Sequence, residues 1–454
     1  MRGLASVPRK LTTPPRKKSS RELVRPVPSG DRETQRRGRL RGESSGVSVQ
    51  ANPLPMTHAM RADAPSSAQM RTVERLRNEP FRIFFPLAFL LGAGGVSHWV
   101  LLSVGALGRY LAVFHAVTQM QSFMLAFASG FLLTAIPKRT RSPPASWAEI
   151  AALVVMLPTV SVATLFGALT LGQVAYVGAL VVLAQFAIRR FLNRTAGRRP
   201  PPSFVLVPLG LLSGVTGASM LVAGNFVQTA GWMEPLGRAL VFEGVFLCFA
   251  LAIAPFFLSV ALHGEAPVDI SRGTAGPVAG YIAAGAVLLV GLILHASGAV
   301  RAGLLFRAGA AASVLGWAGA WRLPSRPGWN RKLLWLATWM LPAGLVVAAV
   351  FPEHRVAAMH VTFIGGFGLL AFSVATHVTL GHSGHSKDQG GRPRAVAWFG
   401  ALFLAAMLLR SIGTVVFSAY FELLGLAAMI WLGAALVCAI YLVPKMWRAP
   451  LADD

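Results

Sequence analysis

From Phe84 to Val443 the chain is a succession of helix-length apolar stretches, several of which carry an ionisable residue in their interior. A helix needs about 20 mostly apolar residues to cross a bilayer. About twelve segments meet that need: 84–104, 110–136, 147–166, 171–188, 203–223, 240–262, 277–294, 300–321, 333–350, 357–380, 396–419 and 421–443. The connections between them are short, so successive segments run up and down. This pattern predicts an all-α, polytopic membrane bundle of about twelve transmembrane helices. Charged residues make up only 13% of the chain, about half the share of a soluble globular protein, so most of the surface faces lipid.

The formal net charge of +25 invites a nucleic-acid reading, which the distribution of charge excludes. Eighteen of the 42 Lys and Arg fall within the first 82 residues, and most of the rest sit in short loops after the even-numbered segments. Examples are Lys138, Arg139 and Arg141, then Arg189, Arg190 and Arg194, then Arg322, Arg326 and Arg331. The alternate loops hold only Arg109, Arg238, Arg301 and Arg355. Basic loops stay in the cytoplasm, which predicts cytoplasmic termini and a multi-pass protein of the cell (inner) membrane. Residues 1–78 are rich in Arg, Pro, Ser and Gly without apolar periodicity and read as a disordered basic tail. Residues 79–446 form the twelve-helix domain and 447–454 a short C-terminal tail. Trp147, Trp232, Trp317, Trp321, Trp329 and Trp447 sit near segment ends, where interfacial aromatics belong.

Ionisable groups inside a bilayer are costly and mark function. His115, Glu243, Arg307, His360 and Arg410 fall at one predicted depth, with His98 nearby. His115 and His360 lie a few residues into the second and tenth segments, which run the same way, so both sit roughly 5–8 Å below the outer interface. Two imidazoles at matched depth either ligate a metal or a haem iron between them or make hydrogen bonds between helices. Arg307 and Arg410 either meet anionic groups such as haem propionates, or belong to an ion network, or snorkel to the interface. Glu243 can pair with only one of them. His377, His382 and His385 cluster at the opposite end, in ATHVTLGHSGH, as a candidate copper or zinc site or as a plain polar turn. Cys248 and Cys438 read as buried free thiols, and the absence of CxxCH excludes covalent haem attachment by that motif. Gly92–Val96 (GAGGV) and Gly365–Gly366 offer smooth faces for close helix contact.

Four strings go beyond generic membrane sequence: EPFRIFFP (79–86), HAVTQMQSFMLAFASGFLLTAIPKR (115–139), VFEGVFLCFALAIAPFF (241–257) and HVTFIGGFGLLAFSVATHVTLGHSGH (360–385). In this order and spacing they resemble the NnrS family of polytopic membrane proteins, over roughly Glu79 to Lys445. The resemblance implies a bundle of about twelve helices that binds haem (non-covalent, b-type) and copper. It also implies a part in nitric oxide metabolism and relief of nitrosative stress, with nitric oxide or nitrosated iron species as partners. By position it gives metal-binding roles to His115, His360 and His382. The chain departs from the family at Val117, Thr118 and Gln119, where many members have a second His and a Glu. It departs again at His377 and His385, where Arg is frequent. The competing reading is a transporter of a small solute or metal ion, because Pro158, Pro208 and Pro255 interrupt spans as transporter helices are interrupted.

Overall fold

The structure, a computed structural model, describes residues 67–195, 200–227, 231–264 and 275–447. Every element among them is helical. Twelve long helices follow one another: α1 (Phe81–Ser103), α2 (Ala112–Thr140), α3 (Trp147–Leu165), α4 (Leu169–Leu192), α5 (Pro202–Ala223), α6 (Met233–His263), α7 (Pro277–Ala296), α8 (Val300–Trp317), α9 (Trp329–Val350), α10 (Pro352–His382), α11 (Arg394–Ile412) and α12 (Tyr420–Trp447). Among the described residues, eleven are long and apolar enough to cross a membrane. The remaining one, α8, is 18 residues long and carries Arg301 and Arg307. It packs between α7 and α9 and buries Arg307 completely, which spares that charge from lipid. The stretch expected to be a disordered tail ends in a helix, Ser67–Asn78, whose Arg77 donates from Nε to the carbonyl of Ala145 at 3.1 Å. The tail up to residue 66 and the C-terminal tail from 448 lie outside the described residues.

Helices α2, α6 and α10 are the longest of the first ten, at 29, 31 and 31 residues. Each widens into π-helix near its start: Thr118–Met124, Leu240–Gly244 and Val361–Gly368. A π-turn inserts extra backbone into a helix and is frequent at functional sites. Their place in the chain is regular, since each is the second helix of a group of four. In every group the third and fourth helices pack together, and the fourth packs on the first of the next group. α12 closes the ring by packing on α1, so the bundle has pseudo-threefold symmetry with α2, α6 and α10 innermost.

Glycines let these inner helices approach. A Cβ on Gly95 (α1) would collide with Thr118 and Gln119, one on Gly217 (α5) with Gly237 and Leu240, and one on Gly344 (α9) with Thr362. All three collisions fall at the start of a π segment. The two expected glycine faces are used in the same way: Gly92 meets Phe123 and Trp431, Gly365 meets Met407, and Gly366 meets Leu341. Without a hydrophobic force between helices in lipid, such close van der Waals contact holds a bundle together. Aromatic rings fill the space beside α1 and α12. Phe372 lies 4.5 Å from Phe403 and 5.4 Å from Phe127, and Trp431 lies 5.7 Å from Phe403, most of these contacts edge-on.

The loops are fixed by local chemistry. Ser146 caps α3 by accepting from the Glu149 amide, and Glu149 accepts the Ser146 amide in return. The same carboxylate takes both arms of Arg190 from α4, at 2.6 and 2.8 Å. The basic loops all follow even-numbered helices, which defines a basic end of the bundle and a far end. The outward faces stay apolar, with Leu90, Phe166 and Ile440 well exposed. The six tryptophans expected at segment ends are all exposed there.

Candidate functional site

The far ends of α2 and α10 each present an imidazole whose tautomer the fold dictates. His115 places Nδ1 2.8 Å from the carbonyl of Gly95 in α1. A carbonyl only accepts, so Nδ1 carries the proton and Nε2 keeps its lone pair. His360 does the same within its own helix, with Nδ1 2.6 Å from the Val356 carbonyl. An Nδ1–H held by a backbone carbonyl is the arrangement that orients a histidine to bind metal through Nε2. His360 lies within electrostatic reach of both His115 and Arg410. His115 in turn is within reach of Arg410 and His98.

His98, which the sequence placed only in the neighbourhood, belongs to this group. Its ring centroid is 5.7 Å from that of His115, and its Nδ1 lies 3.2 Å from the same Gly95 carbonyl. Its Nε2 is buried with no partner. Trp99 stacks beside both rings, at 4.1 and 5.5 Å. Nothing in the sequence could pair His98 with His115, because the pairing depends on how α1 rotates against α2.

The two arginines separate clearly. Arg307 is fully buried and satisfied: Nε donates to the Gly303 carbonyl at 3.0 Å and Nη1 pairs with the Glu243 carboxylate. Its Nη2 lies 2.6 Å from His295 Nδ1, while Arg355 approaches the other ring nitrogen at 2.9 Å. A neutral imidazole accepts from only one of them. Arg307 therefore takes the ion-network alternative, and Glu243 is spent on it. Arg410 is 9% exposed and has no carboxylate within ion-pair distance among the described residues. Its Nη1 is buried without a partner, and its guanidinium lies 6.0 Å from the Tyr420 ring. Tyr110, in the loop before α2, lies in the same region. Burial raises its phenol pKa, with a further push from Tyr420 that Arg410 opposes.

At the basic end, His382 is bound up in a clasp around Glu79. Its Nδ1 donates to Glu79 Oε1 at 2.8 Å. Arg82 holds the other oxygen, with Nε at 2.7 Å, and also reaches the carbonyls of Met446 and His382. Lys138 Nζ stands 3.4 Å from Oε1, and Arg75 lies 3.8 Å from Oε2. Burial on its own would raise the Glu79 pKa. The His382 hydrogen bond and the Arg82 charge outweigh it and bring the value down to about 2. The clasp ties the start of α1 to the ends of α2, α10 and α12. Thr134 adds to it by accepting the Phe81 amide at 3.2 Å.

The His382 ring bonds to Glu79, and its sequence neighbours make contacts of their own. His377 packs edge-on against Phe257 at 4.9 Å, and His385 places Nδ1 2.8 Å from the Ser383 carbonyl. No group of three or more His, Cys, Asp or Glu among the described residues is arranged to hold a metal ion. Cys248 and Cys438 are free and buried.

The strings EPFRIFFP, GFLLTAIPKR and TLGHSG thus converge at the clasp, and the histidines that head α2 and α10 converge at the opposite end. None of the curated proteins matches the chain. The model of the NnrS protein family matches residues 75–449, which takes in all twelve helices and the clasp that locks them. The chain belongs to the NnrS family.

Proposed function

We propose that this membrane protein holds a haem at the far end of the bundle, between α2 and α10, and serves in nitric oxide metabolism and relief of nitrosative stress. The observation that carries the reading is the set of unmet valences in one place. His115 and His360 each turn a lone pair on Nε2 away from a carbonyl-bound Nδ1–H, and Arg410, whose charge acts on both imidazoles, keeps a buried, unpartnered Nη1. A buried guanidinium without an anion is costly, and a propionate carboxylate is the group that would satisfy it. A haem bound there supplies one-electron chemistry and affinity for nitric oxide.

The chain's own part is to hold and to shield. The Gly95 and Val356 carbonyls fix which nitrogen of each imidazole is free and raise its basicity. Trp99 and Phe363 wall the two imidazoles, at 5.5 and 5.9 Å. His98 Nε2 is a buried base beside His115, placed to accept a proton close to the site. A haem held by both imidazoles would supply electron exchange in preference to turnover. Copper at His382 has no support from the donors present, since that imidazole serves Glu79 and gains no second and third ligand among the described residues. The basic loops support an orientation with this site toward the extracytoplasmic side of the membrane.

The test is the absorbance spectrum and haem content of the purified protein, beside His115→Ala and His360→Ala. We expect a Soret band in the parent and at least a tenfold loss of haem in either variant, with membrane insertion unchanged. Equal haem in all three proteins, or a colourless parent, would overturn the reading.

A further inference from the structure

Where α2, α6 and α10 meet on the pseudo-threefold axis, the packing leaves a cavity of about 80 Å³. Its wall includes Phe127, Phe246, Phe249, Phe257 and Phe367, with Ala250 set between them. The sole hydroxyl in the lining is Thr338, which donates to the Trp335 carbonyl at 2.6 Å and has nothing left to give. A buried water needs two to four polar partners, and this wall offers only the accepting side of the Thr338 hydroxyl. The space exceeds by several-fold the roughly 10–15 Å³ that one water requires. The pocket is half open, and its volume is about half that of the roughly 150 Å³ enclosed apolar cavity that admits benzene, which favours a small apolar occupant.

A chain of ring contacts links the pocket wall to the site already described. Phe367 stands seven residues beyond His360 on the same helix, roughly 10 Å deeper. The rings of His360 and Phe363 lie 5.9 Å apart, those of Phe363 and Phe367 6.3 Å, and those of Phe367 and Phe246 6.1 Å. An unbroken aromatic wall therefore runs from the imidazole to the cavity.

From this geometry we propose that the axial cavity is a binding site for a small uncharged diatomic gas drawn from the bilayer. That the gas is nitric oxide rests on the function proposed above. The existence of the site does not.

The test uses xenon as the probe, in pressurised crystals of the full chain, with anomalous scattering to locate it. We expect a xenon peak among Phe127, Phe249 and Phe367. Ala250→Leu should remove that peak and leave any xenon elsewhere in place. Should the variant fail to fold, the parent decides alone. No peak at this position in the parent overturns the proposal. So does a peak that disappears once haem is loaded, because the space then belongs to the cofactor. A colourless protein that still binds xenon here would sink the haem reading and leave this one standing.

Discussion

Glu79→Gln removes the charge at the centre of the basic-end clasp and keeps its shape. The Glu79 pKa lies near 2, against an ordinary 4.5. A pKa unit is about 1.4 kcal/mol, so the carboxylate contributes on the order of 3 kcal/mol of stability when ionised. The sign follows from the direction of the shift. A depressed carboxylate pKa gives stability that is complete above about pH 4.5 and is lost as pH falls toward 2. The variant also leaves Arg82, whose side chain is 1% exposed, with only carbonyl partners. Denaturant unfolding in detergent, followed by helical circular dichroism, measures the difference at several pH values. The parent should be more stable than the variant by about 2–4 kcal/mol at pH 7, and the gap should close between pH 5 and 2. A gap that is independent of pH, or absent at neutral pH, would refute the clasp as the source of that stability.

Three other variants separate the roles assigned above. Arg410→Gln should leave the unfolding midpoint nearly unchanged, since the guanidinium has no carboxylate to lose, yet weaken haem retention at least tenfold in a dilution assay. Equal retention would show that Arg410 does not meet the cofactor. Glu243→Gln should destabilise the bundle by about 3–5 kcal/mol, because it strands the fully buried Arg307. The double variant Glu243→Leu with Arg307→Met should recover most of that loss in the same unfolding assay. A double variant no better than the single one would contradict the isolated-pair account.

Much of the fold was legible because a bilayer leaves few options. Backbone polar groups in lipid must be satisfied within the segment, so each apolar run of the right length had to be a helix. The glycine faces at Gly92–Val96 and Gly365–Gly366 were readable for the same reason: small residues in such runs mark close packing. The short helix Ser67–Asn78 escaped notice because its residues are mostly polar and resemble the tail before it. Boundaries moved most in α11, which ends seven residues early at Ile412, and in α6 and α10, which carry π segments. A π-turn changes residue count without changing composition, and hydropathy carries no trace of it.

The sequence by itself determined that this chain is a bundle of membrane helices with its charges at one end and two histidines at matched depth on parallel helices. It could not say which of two buried arginines Glu243 would neutralise, since both sit at one depth. Helix rotation and neighbour order decided that, giving Glu243 to Arg307 and leaving Arg410 beside the histidines. The same freedom brought His98 to His115 and bound His382 to Glu79. Depth is a one-dimensional quantity that hydropathy can read. Which side chains meet at that depth depends on angles about the helix axes, and only the packed bundle sets those.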